Sequence, residues 1–470
     1  MKKINEIYKK TSNYKTKIIQ FGEGNFLRAF IDWQIQQLNK ATNFNGGVVI
    51  VQPIKDGMCE KLLEQKNLYT VVLEGIVNDK KFESSEIIDC INGVINPYKD
   101  YEEYLSLADN NEIKFIFSNT TEAGIIFDKK DVFNNKPHTT YPGKLTALLY
   151  RRYKNKMNGF YIMPCELNDN NGELLKNVII QVANNWKLES DFLEWITNKN
   201  AFYSTLVDRI VPGFPKDDIQ KIWEKNGYED SMLVKAEPFL LFVLEGDKKI
   251  ENELSFSKAK LNVKVTNNGK VWHDLKVKIL NGPHTTMALV CRLLETQLVS
   301  DVMNNDKQYK FIRDELYDEI AKTIDLPMDE ILNYARTIED RFRNPFVKHK
   351  LDAISLNSVA KYKVRLLPSL LKFYEKEKKL PKRICIALAS LLAIYGKFGP
   401  STVKAVESDK NIIMDFENES KSTNYVKNIL SKKIYWGIDL NEIPGLTNYI
   451  NEILDEIKNG SISNIIESVG

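Results

Sequence analysis

Residues 276–284 read KVKILNGPH, with a lysine, an asparagine five places on and a histidine three further. Reducing a ketone takes a hydride, a group that polarises the carbonyl oxygen, and a proton for the alkoxide. A lysine ammonium can supply that proton near neutral pH if burial lowers its pKa from about 10.4. An asparagine amide can donate a hydrogen bond to the developing oxyanion. A histidine can orient a substrate hydroxyl or share the proton. Lys276, Asn281 and His284 hold all three chemistries in nine residues, with Lys278 a rival for the acid. In one unbroken helix, at about 100° per residue, the three would span an arc of about 140°. Gly282-Pro283 tells against an unbroken helix, and Pro283 can instead open a helix that begins near His284. An exposed lysine, a capping asparagine and a core histidine would fit the same spacing, so the elements around the stretch must decide.

Those elements change character along the chain. KIIQF (17–21) is a β-branched strand ending at Gly22, and Phe26, Ala29, Phe30 and Trp33 follow at helical spacing. GVVIVQP (47–53), KFIFSNTTEAG (114–124) and NGFYIMPCE (158–166) read as further strands. Alternating strands and helices predict a parallel sheet covered on both faces. From about residue 270 the apolar spacing turns helical, over 284–304, 309–323, 328–341, 357–376 and 382–396. The expected fold is therefore α/β, with a Rossmann-like domain over 1–268 and a mostly helical domain over 269–470.

The bulk composition narrows the class. A net charge of +3, from 66 basic and 63 acidic residues, offers no field for nucleic acid or an anionic membrane. The N-terminal MKKINEIYKKTSNYK lacks the apolar core of a signal peptide. ICIALASLLAIY (384–395) is about half the length that spans a bilayer, and reads as a buried helix. Cys59, Cys90, Cys165, Cys291 and Cys385 are scattered, with no CxxC pair, which argues for a reducing cytoplasm and against a structural zinc site. With only four histidines, a histidine-rich metal centre is not expected.

IIQFGEGNFLRAF puts Gly22 and Gly24 where the first strand meets the first helix, so that a pyrophosphate could approach the helix N-terminus. The fingerprint is incomplete. Leu27 stands where a third glycine would be, and the second strand closes on Gln52 rather than on an acid for the ribose diol. A plain strand–helix turn satisfies the same spacing.

At this point the chain resembles the long-chain mannitol dehydrogenase family of metal-independent polyol dehydrogenases, whose K-x4-N-x2-H segment KVKILNGPH matches. IIQFGEGNFLRAFIDWQI (18–35), FSNTTEAGI (117–125), PCELNDNNG (164–172), STLVDRIVPG (204–213) and RFRNPFVKH (341–349) extend the match, in order, from about residue 15 to 460. These segments are most similar to the family's keto-uronate reductases. The resemblance implies NAD(H) as cofactor, a site in the cleft between the two domains, Lys276 as general acid/base, Asn281 on the carbonyl oxygen and His284 on substrate hydroxyls or the oxyanion. It implies nucleotide contacts from Ile19, Gln20, Phe21, Gly22, Gly24, Asn25 and Phe26 at the turn, and from Asn119, Thr120 and Glu122 further on. Asp208 would line the substrate pocket and Lys361 would bind substrate.

The chain also departs from the family pattern. Leu167 stands where the mannitol enzymes carry a second amide donor, His273 where they have a glutamate, and Ala353 where they have an arginine. A keto-uronate carboxylate wants a cation, and Arg341, Lys348 and Lys361 are candidates by charge. A fructuronate reductase, a mannitol-type dehydrogenase and a non-catalytic nucleotide sensor remain alternatives. Lys55 leaves NADP open beside NAD.

Overall fold

KTKIIQF is rich in β-branched and aromatic residues, and in the computed structural model it forms strand β1 (Lys15–Phe21), buried from Ile18 onward. The structure describes residues 1–10, 12–121 and 123–469. The strands that follow are β2 (Gly46–Val51), β3 (Tyr69–Val77), β4 (Lys80–Ile88), β5 (Ile91–Ile95), β6 (Phe115–Ser118), β7 (Tyr161–Pro164) and β8 (Ala201–Phe202). After them come β9 (Ser204–Asp208), β10 (Val234–Ala236), β11 (Leu241–Glu245) and β12 (Val263–Thr266). Six strands form one sheet in the order β5-β2-β1-β6-β7-β8, and every pair in it is parallel. Two three-stranded sheets, β10-β3-β4 and β12-β11-β9, accompany it.

Alternation along the strands explains why the sheet is covered on both sides. Ile18, Val48, Ile50, Phe115 and Phe117 belong to one apolar core. Their neighbours Ile19, Val49, Val51 and Ile116 belong to another, on the opposite face. The same side-chain period that makes each strand nearly all apolar therefore builds two cores. β1 lies at the point where the strand order reverses, with β2 on one side and β6 on the other.

The chain divides into two compact units, Met1–Glu74 with Lys81–Gly269, and Gly75–Lys80 with Lys270–Gly470. The second is helical apart from the short 75–80 segment. ICIALASLLAIY lies in the helix Lys382–Tyr395, and every residue from Ile384 to Tyr395 is buried. Among the described residues no helix is long and apolar enough to cross a membrane.

Candidate active site

The first unit builds its site at the ends of β1 and β6. Gly22 has φ +120°, a conformation that side chains rarely adopt, and a Cβ there would stand 3.2 Å from the Asn119 carbonyl and 3.3 Å from Leu27. Its N–H donates to the Val51 carbonyl at 3.0 Å, while Asn119 N–H donates to Phe21 at 3.1 Å. The turn is thus fixed by both flanking strands. Gly24 is different: a Cβ there would meet nothing within 4 Å, so the space beside it is open. Gly24 opens a helix that runs on through Asn25–Leu27, a π-helical turn at Arg28–Asp32, and Trp33–Ala41. The N–H groups of its first turn have no partner within the helix and point towards the turn.

Most of the side chains expected at a nucleotide are occupied in holding this turn. Ile19 and Phe21 are core residues, with the Phe21 ring 5.0 Å from Tyr141. Gln20 donates to the Gly22 carbonyl at 3.1 Å and to Asp32 at 3.3 Å. Asn25 accepts from the buried Arg28 at 2.7 Å, and Phe26 stacks on Phe30 with centroids 4.9 Å apart. Asn119 donates to the Cys165 carbonyl at 2.6 Å. Thr120 donates from both backbone and hydroxyl to Glu166, at 2.9 and 3.0 Å, and Ser118 donates to the other carboxylate oxygen at 3.0 Å. What the turn leaves for a ligand is therefore its backbone. Glu122 lies outside the described residues.

Sequence reasoning missed Glu166 and Glu23 here. Both are buried carboxyls whose pKa burial raises. Glu23 accepts the Met58 N–H at 3.0 Å and, with Gln52, packs against Gly57, closing the loop after β2. Gln52 also donates to Ile54 and Lys55 carbonyls, at 2.8 and 2.9 Å. The strand end that lacked an acid is thus a loop staple. Asp208 is buried at the end of β9, opposite Leu241.

In the second unit the expected interruption at Gly282-Pro283 is absent. The helix runs from Gly269–Lys276 through a π-helical turn at Val277–Asn281 into Gly282–Thr286, and a second π turn follows at Met287–Cys291. The Gly282 N–H returns to the Val277 carbonyl, five residues back. A wider turn just before proline relieves the clash between its ring and the preceding turn, and the missing N–H needs no α-type partner. It also changes what faces what. Residues five apart lie about 140° apart in an α-helix, but the i→i+5 ladder of a π turn sets them nearly one above the other. Lys276 and Asn281 are five apart, and Asn281 and His284 three apart, so all three share one face. Lys276 and Asn281 are half-buried, and His284 is buried.

Lys278 is turned to Thr323, donating to its carbonyl at 2.9 Å, and burial lowers its pKa. Asn281's own carbonyl accepts the Thr285 hydroxyl at 2.9 Å.

The groups that act most strongly on His284 are basic. Burial, then His349, Arg341, Arg365 and Lys361, hold its pKa well below the usual histidine range, so it is neutral at physiological pH. Its ring lies 4.9 Å from that of His349 and 4.5 Å from Phe342. Lys361 donates to the Ile354 carbonyl at 2.7 Å, and burial lowers its pKa. Of the expected cations, Arg341 and Lys361 therefore stand by His284, whereas Lys348 is exposed and is not among the groups acting on it. His349 and Arg365 were missed. Arg365 was accessible in principle, because it follows Lys361 by four residues and shares its helix face.

A parallel sheet whose order, renumbered within the sheet, is 3-2-1-4-5-6, with a glycine turn and helix N-terminus at the reversal, defines a Rossmann-type fold of the dehydrogenase kind. The model of the mannitol dehydrogenase Rossmann domain matches residues 16–258, and that of the mannitol dehydrogenase C-terminal domain matches 269–458. The chain belongs to the mannitol dehydrogenase family. It is 40% identical to the altronate oxidoreductase of Bacillus subtilis (strain 168), over 97% of this chain and 96% of that one. It is 39% identical to the altronate oxidoreductase of Phocaeicola vulgatus over the whole of both chains. Among solved structures, a D-sorbitol dehydrogenase in substrate-free form matches with a TM-score of 0.83 at 20% identity, covering 98% of this chain and 96% of that one. The mannitol 2-dehydrogenase of Pseudomonas fluorescens, in a ternary complex with NAD and D-mannitol, matches with a TM-score of 0.67 at 17% identity, covering 98% and 95%.

Proposed function

We propose that the protein is an NAD-dependent oxidoreductase that interconverts D-tagaturonate and D-altronate in hexuronate breakdown, with a lysine as acid/base and no metal in the chemical step. The observation that supports the reading is the continuous helix through Lys276, Asn281 and His284, with a π turn between the first two that brings their spacing onto one face. The relatives named altronate oxidoreductase, alike over nearly the full chain, support the choice of substrate.

A dinucleotide suits the glycine turn: Gly22 carries the positive φ, the space beside Gly24 is open, and helix N–H groups suit a pyrophosphate. Backbone groups of Ile19 to Phe26 and the Asn119–Thr120 loop, with Glu122, would hold it. Bound NADH supplies the hydride. Lys276 gives its proton to the alkoxide oxygen and takes one from solvent to reset, the reverse holding for oxidation. Asn281 donates its amide hydrogen to the same oxygen as negative charge builds there. His284, neutral, exchanges hydrogen bonds with a substrate hydroxyl. Arg341 and Lys361 favour an anionic substrate, and Asp208 and Lys348 complete the proposed substrate set.

NADH oxidation measured against tagaturonate, fructuronate and fructose tests the reading. Tagaturonate should show the highest kcat/KM, by at least tenfold. A preference for fructose would overturn the uronate assignment, and a preference for fructuronate would move it to the neighbouring activity.

A further inference from the structure

We propose that Arg365 is the specificity-determining residue that grips the substrate carboxylate, a role that rests on the keto-uronate reading above. Its position is set by close packing. Arg365 ends the helix Ser358–Arg365, and a Cβ on Gly282 would stand 3.7 Å from its carbonyl and 3.5 Å from Leu366. At these ordinary contact distances the helix end lies against the turn between Asn281 and His284. From there the guanidinium reaches Thr285, with Nη1 3.4 Å from the hydroxyl oxygen.

That contact is long, and Thr285 has already given its proton to the Asn281 carbonyl. It is the one hydrogen bond the Arg365 side chain makes among the described residues, and no carboxylate pairs with it there. Other sheltered arginines make more bonds, although Nε of Arg383 and Nη2 of Arg209 are buried without a partner. Arg152 donates to the carbonyls of Asn158, Ala108, Asn110 and Ile113. Arg292 pairs with Asp352 at 2.8 Å, and Arg383 with Asp314 and Glu319, each at 3.3 Å. Arg365 is half-buried, and most of its five donors are unspent and open to solvent, where a ligand carboxylate can reach them.

Its neighbours sharpen the point. Lys361 lies one turn earlier on the same helix, and like charges at that spacing repel. Arg341 and Lys361 both act on His284 as Arg365 does. A bound carboxylate would relieve this repulsion, and the planar guanidinium fork matches it with two parallel bonds. Because Arg365 acts on His284 itself, the grip would fall beside the groups proposed to do the chemistry.

Steady-state rates with NADH, on tagaturonate and on tagatose, which lacks the carboxylate, test this. Arg365→Ala should lower kcat/KM for tagaturonate about 100-fold or more, chiefly through KM, with tagatose changed less than about threefold and NADH affinity and Tm unchanged. Arg365→Lys, the fallback should the alanine variant not fold, keeps the charge without the fork and should recover part of the loss. Thr285→Val should keep the preference for tagaturonate. Equal losses on both sugars, no loss on tagaturonate, or a Thr285→Val variant that reproduces the Arg365→Ala defect would overturn the proposal. A wild-type enzyme indifferent to the carboxylate would overturn the keto-uronate reading itself.

Discussion

Glu315 shows how one residue ties the stability of the proposed catalytic helix to pH. One of its oxygens accepts the Thr286 hydroxyl, two residues from His284, and the other is buried without a partner. Burial pushes its pKa up to about 8. A carboxyl whose folded pKa lies above its unfolded value binds more protons folded than unfolded throughout the interval between them. Stability therefore falls as pH rises from about 5 to 8. Glu315→Gln carries no charge in that range, so its Tm should gain on the wild type steadily from about pH 5 to 8. A Tm difference that stays constant over the range would contradict the assignment. Residues of this kind are hard to read from a sequence. Lys276, Asn281 and His284 stood out because three chemistries sat in nine residues, whereas Glu315, Glu166 and Glu23 matter through burial, which only the fold reveals.

At the scale of elements, four strands of the parallel sheet were legible, whereas the other strands and the helix carrying the polar face were not. β1, β2, β6 and β7 announce themselves as short β-branched or aromatic runs bounded by glycine, proline or polar turns. The helix through Gly282-Pro283 was expected to break because proline lacks a donor and clashes with the preceding turn. A π turn absorbs both faults, and no local signal in VKILN marks it. Gly282 has helical dihedrals, and a Cβ there would press on the Ile320 Cδ1 at 3.2 Å while meeting Leu366 at ordinary contact distance, 3.5 Å. The entropy that alanine saves in a helix, about 1 kcal/mol, opposes the small shift asked of the flexible Ile320 tip. Gly282→Ala should therefore change stability by less than about 1 kcal/mol, measured by denaturant unfolding. A loss above about 3 kcal/mol would show that the Ile320 side chain cannot give way.

For the molecule as a whole, the α/β class and the helical second half followed from side-chain period alone, because period 2 and period 3.6 are distinct signals over hundreds of residues. The family followed from ordered segments, and the matches over 16–258 and 269–458 bear it out. The excursion of Gly75–Lys80 into the second unit was not legible, since long-range pairing leaves no local trace.

The central claim is that one lysine supplies the proton. Pre-steady-state oxidation of NADH by tagaturonate, compared in wild type, Lys276→Ala and Lys278→Met, tests it most directly. Lys276→Ala should slow the step by about a thousandfold or more while NADH binds with unchanged affinity. Lys278→Met, whose amine is spent on Thr323, should stay within about threefold of wild type. A Lys276→Ala enzyme that still turns over near the wild-type rate would contradict the account.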